Sequence, residues 1–249
     1  MNLSYIGVTG FMNRNEVITI LNCLPADTGR FLMVGVLASQ KTLKGEPNKW
    51  PNRYPKMADI AGIFLEDNQA LNLIHYNTKE PESLTEQLVK ITDLAGPALD
   101  GFQLNLAWPD YEAILDYHKT CANKYIVLQI GAKALGMIGN SPQALAEEVA
   151  QYEYLADHIL IDQSGGYGTP LETEKIRAYL KALKNKGYNF GLGVAGGLSS
   201  ANLGLIQPLV AEFPYLSIDA EGRLRDTDDN LDLVATKAYV ESAHKLLVG

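Results

Sequence analysis

The chain has 249 residues, of which 47% are apolar and 20% charged, and a formal net charge of −8. That length suits one (β/α)8 barrel, and that apolar content fills a large core. The acidic balance, without any run of lysines and arginines, argues against nucleic acid as a partner. No stretch reaches the ~20 apolar residues of a membrane span, so no membrane partner is expected. The N-terminus, Met1 to Gly10, lacks the basic region and apolar run of a signal peptide, so a cytoplasmic location is expected. Cys23 and Cys121 fall in predicted helices with no C-x-x-C spacing, as reduced thiols do.

Strands and helices alternate from end to end. The first strand is expected over Leu3 to Thr9, then a helix from Arg14 to Leu24 opened by Asn13 and Glu16 at capping-box spacing. The second strand, Phe31 to Ala38, leads into an irregular segment, Ser39 to Pro55. A helix over Pro55 to Phe64 precedes the third strand, Ala70 to Asn77. Pro81 opens the next helix, Pro81 to Leu94. Strand four is Gly101 to Leu106, followed by a helix over Pro109 to Ala122. Strand five is Tyr125 to Gly131, followed by a helix from Ser141-Pro142 to Tyr154. Strand six is His158 to Gln163 with a helix over Leu171 to Lys186. Strand seven is Phe190 to Ala195, with a helix over Ser200 to Glu212 capped by Ser199. Strand eight is Leu216 to Ala220, with a last helix over Leu231 to Leu247. Asp226, Asp228 and Asp229 are expected to open that last helix, where the dipole favours negative charge.

Eight βα units without a domain-sized insertion make one α/β domain over residues 1–249, a single-domain (β/α)8 TIM barrel. The strands are short apolar runs such as Y-I-V-L-Q-I, as parallel strands buried on both faces should be. The alternative, a doubly wound open sheet, lacks a G-x-G-x-x-G after strand one.

In a barrel the working residues lie at the C-terminal strand ends. There the chain carries Thr9, His75, Gln103, Asn105, Gln129, Asp162, Asp219 and Glu221, with Lys41, Lys44, Lys49, Trp50 and Arg53 in the loop after strand two. Trp50, Lys49 and Arg53 suit that loop to a lid. Asp162 ends an apolar strand, where desolvation raises a carboxyl towards a useful base. The bland alternative is an aspartate capping the next turn. Gly165, Gly166 and Gly168 after strand six, Gly196 and Gly197 after strand seven, and Asp219 with Gly222 after strand eight form a candidate phosphate pocket. Glycines there let backbone N–H groups approach an anion. Lys133, in G-A-K-A-L, is a Schiff-base candidate or a solvated surface lysine. His75, His118, His158 and His244 are scattered, which gives no metal site, and no cofactor is expected.

The run Leu160 to Gly222, with L-I-D-Q-S-G-G-Y-G, V-A-G-G-L and S-I-D-A-E-G, resembles phosphoribosylanthranilate isomerase. That family has L-L-D-S and G-G-T-G on strand six, L-A-G-G-L on strand seven and V-D on strand eight. Looser echoes are V-T-G at 8–10, R-Y at 53–54 and Q-L-N at 103–105. The resemblance implies an Amadori rearrangement of a phosphorylated aminoaldose, which opens the ribose and moves a proton from C2. It implies Asp162 as one proton carrier and puts Thr9 where the family has its second, a cysteine. It implies Arg53 as the partner of the substrate carboxylate, with Asn105 replacing a histidine; Gln103, Asn105 and, from its strand-end position, Gln129 are the expected substrate contacts. Glu221 brings negative charge to the phosphate loop, and the loop over 39–55 is longer than the family's. A threonine hydroxyl does not exchange protons as a thiol does. Three readings therefore stand: an isomerase on a phosphosugar, a divergent barrel aldolase or lyase, and a non-catalytic phosphate-ligand-binding protein. Each takes a small phosphorylated metabolite as its partner, in a monomer or homodimer.

Overall fold

A computed structural model describes residues 4–26, 29–162 and 171–248. Eight strands, β1 (Tyr5–Thr9), β2 (Phe31–Ser39), β3 (Ala70–Asn77), β4 (Gly101–Leu104), β5 (Tyr125–Gly131), β6 (His158–Asp162), β7 (Gly191–Ala195) and β8 (Ser217–Ala220), pair in sequence order. All eight pairs are parallel, and β8 returns to β1, so the sheet closes into a barrel. The helices are α1 (Arg14–Leu21), α2 (Gln40–Lys44), α3 (Met57–Ile63), α4 (Leu84–Ala95), α5 (Tyr111–Thr120), α6 (Ala132–Met137), α7 (Pro142–Glu148), α8 (Thr173–Lys186), α9 (Gln207–Glu212) and α10 (Leu233–Val248). Among the described residues no helix is long and apolar enough to cross a membrane.

Strand alternation sorts the side chains into two cores. Ile6, Val8, Val34, Val36, Ile126, Leu128, Ile159, Ile161 and Ile218 face outward into the layer shared with the helices. Tyr5, Met33, Leu71, Leu73, Val127, Leu160 and Ala195 fill the barrel interior. The same inward parity carries Thr9, His75, Gln103, Gln129, Asp162 and Asp219 at the upper strand ends.

Local chemistry explains where the elements depart from expectation. The segment after β2 is not wholly irregular. Ser39 and Thr42 form a capping box that opens α2, and Gly45 closes it at φ 71°. α1 stops at Leu21, so Cys23 lies beyond it, and Cys121 sits just past α5. Pro81 starts a short 3-10 turn, Pro81–Ser83, before α4. The expected helix over 200–212 is a 3-10 turn, Leu203–Ile206, followed by α9, whose first turn carries Pro208. Ser199 is no helix cap: its N–H donates to Asn202 Oδ1 at 2.8 Å, and Asn202 Nδ2 donates to the Gly197 carbonyl at 2.8 Å. The acidic run does not open α10 either. Asp226 closes its own turn by accepting from the N–H groups of Asp228 and Asn230, both at 2.9 Å. Asp232 caps α10 instead, accepting from Val234 and Ala235.

Candidate functional site

The upper end of the barrel holds a continuous polar network. Thr9 Oγ1 donates to the Asp219 carboxylate, 3.1 Å from Oδ1. Gln103 Nε2 lies 3.1 Å from Asp219 Oδ2, 3.1 Å from Gln129 Oε1 and 3.2 Å from His75 Nδ1. Gln129 Nε2 donates to Asp162 Oδ2 at 2.7 Å. Two amides thus bridge two carboxylates across the barrel. Glycines make the room: a Cβ on Gly35 would stand 2.5 Å from Thr9 Oγ1, and one on Gly7 would stand 2.8 Å from Asp219 Oδ1.

Desolvation is the dominant force on this network. Asp219 is buried, and burial pushes its carboxyl up to about 7; the bonds from Gln103 and Thr9 pull it back, while the charges of Glu221 and Asp162 push it further. His75 is buried and its pKa lowered, again mainly by desolvation, which favours a neutral ring. The Gln103 amide has two protons for three neighbouring acceptors. With Asp219 protonated, those two protons serve His75 and Gln129. With Asp219 ionised, the carboxylate claims one of them. Gln103 is therefore wired to the protonation state of Asp219. Its own Oε1 is buried without a partner among the described residues.

Arg53 crosses the mouth from the loop after β2. Its Nε donates to both Asp229 oxygens at 2.8 Å, its Nη2 lies 2.5 Å from Asp229 Oδ1, and its Nη1 lies 2.9 Å from Glu221. Asn52 adds a bond to the Asp228 carbonyl at 2.9 Å. The loop is thereby latched to the segment after β8. Arg53 already faces two carboxylates of its own chain, so the geometry does not offer it to a substrate carboxylate.

Arg225, which the sequence did not single out, reaches back beneath β1. Its Nη2 donates to the Thr9 and Gly10 carbonyls at 2.8 and 3.1 Å. Its Nε and Nη1 are buried without partners among the described residues. Gly10, at φ 103°, admits it, since a Cβ there would stand 1.5 Å from Arg225 Nη2. That positive φ is the one trace such a contact leaves in the local chain.

The expected site residues fall into groups. Thr9, Gln103, Gln129 and Asp162 come together as one network. Asp219 joins them inside the barrel, bonded to Thr9, rather than standing in the loop where a phosphate would lie. The alternation Ser217, Asp219 along β8 is the signal that could have found this. Asn105 is exposed beyond the end of β4. Gly196 and Gly197 have φ 124° and 61°, so the strand-seven turn needs glycine, but no helix starts directly behind it. Gly222 opens a 3-10 turn, Gly222–Leu224, and is exposed. Gly165, Gly166 and Gly168 lie outside the described residues. Lys133 is exposed on α6, the surface placement rather than the desolvated one that a Schiff-base lysine requires.

The chain is similar in fold to solved structures along nearly its whole length. Phosphoribosylanthranilate isomerase from Thermus thermophilus superposes with a TM-score of 0.64 at 15% identity, covering 97% of this chain and 99% of that one. Generated monomers of the dimeric phosphoribosylanthranilate isomerase from Thermotoga maritima give 0.61 at 15% identity, covering 97% and 98%. The catalytic domain of a chitinase from Pyrococcus furiosus gives 0.59 at 11% identity, covering 100% and 97%. No family model matches the chain, and no curated protein matches it. At these identities the similarity is one of fold.

Proposed function

We propose that the upper end of this barrel binds a small phosphorylated sugar derivative and isomerises it by proton transfer, as an Amadori-type aldose–ketose isomerase. Asp162 and Asp219 are the two proton carriers. The observation that carries this reading is Asp219, a buried carboxyl pushed up to about 7 and held by Thr9 within one network with Asp162. A carrier with a pKa near the working pH is the efficient one. Thr9, in place of a cysteine, does not carry the proton. It orients a neighbour that does.

In this mechanism Asp162 protonates the ring oxygen, and the C1–O bond breaks to give the open-chain iminium. Ionised Asp219 removes the C2 proton, and the C–H electron pair forms the enolamine. That enolamine tautomerises to the ketone product, so no oxidant is needed. Gln103 and Gln129 hold the carboxylates apart and pass the change at one to the bonding of the other. The glycine turn at Gly196 and Gly197, with Gly166, Gly168 and Gly222, is assigned to the phosphate. The resemblance of Leu160 to Gly222 to the isomerases and the shared fold both support the assignment.

The test is turnover of N-(5-phosphoribosyl)anthranilate, followed by loss of its fluorescence. Expected is turnover by the wild type, cut by roughly 10²–10⁴ in Asp162→Asn and in Asp219→Asn. Binding of ribose 5-phosphate by the wild type with no turnover would leave a phosphate-ligand-binding protein instead.

A further inference from the structure

Turning the enolamine into the ketone takes a proton off the C2 oxygen and puts one on C1. Negative charge builds on that oxygen on the way, where a positioned donor is most effective. We propose that His75 supplies it, as a third catalytic residue whose Nε2–H donates to the C2 oxygen while the ketone forms inside the site. This rests on the mouth being an isomerase site, and it carries the same chemistry one step further.

His75 pairs in register with Gln103 on the neighbouring strand β4. Leu71 and Leu73, on the same face of β3, fill the barrel beneath it. Gln103 turns its nitrogen towards this corner, because Gln129 Oε1 and Asp219 Oδ2 beside it are acceptors. An amide nitrogen donates and does not accept, so His75 Nδ1, at 3.2 Å, is the bare ring nitrogen. The ring proton is then on Nε2. That atom has no hydrogen bond among the described residues, yet it is not sealed off as Gln103 Oε1 is, and the residue keeps 5% of its surface exposed. With leucines beneath, the open side of the ring is the mouth. Burial lowers the pKa of His75, against the charges of Glu221 and Asp162 at the mouth, which raise it. A neutral imidazole N–H is the donor suited to such an oxygen, since it stabilises the charge and keeps its own proton.

The network sets this tautomer at the step that needs it. Once Asp219 has taken the C2 proton it no longer draws on the Gln103 amide, whose two protons then serve His75 and Gln129. Nε2 therefore carries its proton while the enolamine is present. Asp162, ionised since it protonated the ring oxygen, takes the proton of the C2 hydroxyl. The O–H electron pair becomes the second bond of C2=O, and the C1=C2 pair takes the proton of Asp219 to form the new C1–H bond. Both carboxyl groups end as they began, and His75 has neither gained nor lost a proton.

The experiment runs the full chain on N-(5-phosphoribosyl)anthranilate in heavy water and reads deuterium at C1 of the product by NMR. Ketonisation in the site delivers hydrogen to one face, so wild type is expected to deuterate a single prochiral position. His75→Leu should lower kcat about 10²-fold, leave KM within about threefold, and spread the label over both positions as the enolamine escapes and ketonises in solvent. His75→Gln, which keeps an N–H near the place of Nε2, should restore the single position and part of the rate. Label at both positions in wild type, or His75→Leu with unchanged rate and labelling, would overturn the role of His75 and leave the isomerase standing. No turnover by wild type would bring down the isomerase reading and this step with it. The imidazole ¹⁵N resonances of the unliganded wild type, at about pH 6, test the tautomer without substrate. A proton on Nε2 alone is expected, and one on Nδ1 would overturn the proposal whatever the turnover.

Discussion

The two ends of this barrel both bury polar groups, and they do so in opposite ways. At the lower end His158 is bonded on both ring nitrogens, to Tyr125 at 2.6 Å and to Ser217 at 3.1 Å. Burial pushes its pKa down to about 3, so the ring is neutral. Gly191 leaves the space it fills, since a Cβ there would stand 2.1 Å from the imidazole. Tyr5 packs against it with ring centroids 5.2 Å apart and the planes tilted by 43°. The His158 cluster is an uncharged plug, with the buried Arg30 guanidinium nearby held by the Leu216, Pro214 and Leu247 carbonyls. At the upper end Asp219 is pushed up to about 7, an amide faces more acceptors than it has protons, and Gln103 Oε1 lacks a partner among the described residues. A polar group that only packs can be satisfied once and left. One that must change charge keeps competing partners around it. The contrast separates structural burial from chemical burial within one set of eight strands.

Substitutions can break that contrast. The largest effect is on activity at the upper end. Gln103→Leu is expected to cut isomerase turnover by about 10²-fold, because it uncouples the two carboxylates, and to cost about 1–3 kcal/mol of stability, because the buried acceptors on Gln129, His75 and Asp219 lose their donor. Steady-state kinetics beside thermal melting reads both.

His158→Ala at the lower end should do the reverse. It empties a packed site and strips the bonds to Tyr125 and Ser217, so stability falls by about 3–4 kcal/mol in denaturant unfolding while kcat/KM is preserved in the folded fraction. Loss of activity without loss of stability would erase the distinction between the ends.

The pH dependence of stability sharpens it. Folding raises the Asp219 carboxyl from 3.8 to about 7, so between those values the folded protein holds a proton that the unfolded chain has released. The stability this contributes is present below about pH 4 and is lost as pH rises through about 7. Wild type relative to Asp219→Asn should therefore lose stability across that window, by at most roughly 4 kcal/mol, and stay level above it. The plug at the other end titrates with the opposite sign. Neutral His158 favours the folded state above its ordinary 6.5, so that stability falls away as pH drops from there towards about 3.

The smallest effect expected is that of Thr9→Val. It removes one donor to the Asp219 carboxylate, so the alkaline-rising limb of kcat/KM should move above pH 7, by about 1 kcal/mol in equivalent terms.

Much of this contrast was legible in the sequence. The eight strands are short apolar runs, as parallel strands buried on both faces should be, and Thr9, Gln103, Gln129 and Asp162 fall at strand ends, where a barrel gathers them. Asp219 was visible as a strand-end carboxylate, but its neighbourhood of glycines suggested a phosphate. Its inward parity with Ser217 is what places it beside Thr9 and Gln103. The Arg53 latch was not legible, because its partners lie 168 and 176 residues downstream and only closure of the barrel brings them together. Arg225 was hidden for the same reason. The helix behind Gly196 and Gly197 was expected too early, because Pro208 sets the start of α9 and Asn202 organises the turn before it.

Whether the upper end holds a proton carrier poised near neutrality is measured directly by the ionisation of Asp219 in the folded protein. Carboxyl ¹³C resonances of aspartate-labelled protein, followed from pH 4 to 9 and assigned by their loss in Asp219→Asn, should give a midpoint near 7 for Asp219. A midpoint near 4 would mean the carboxylate is ionised throughout the working range, and the assignment of Asp219 as the second proton carrier would be wrong.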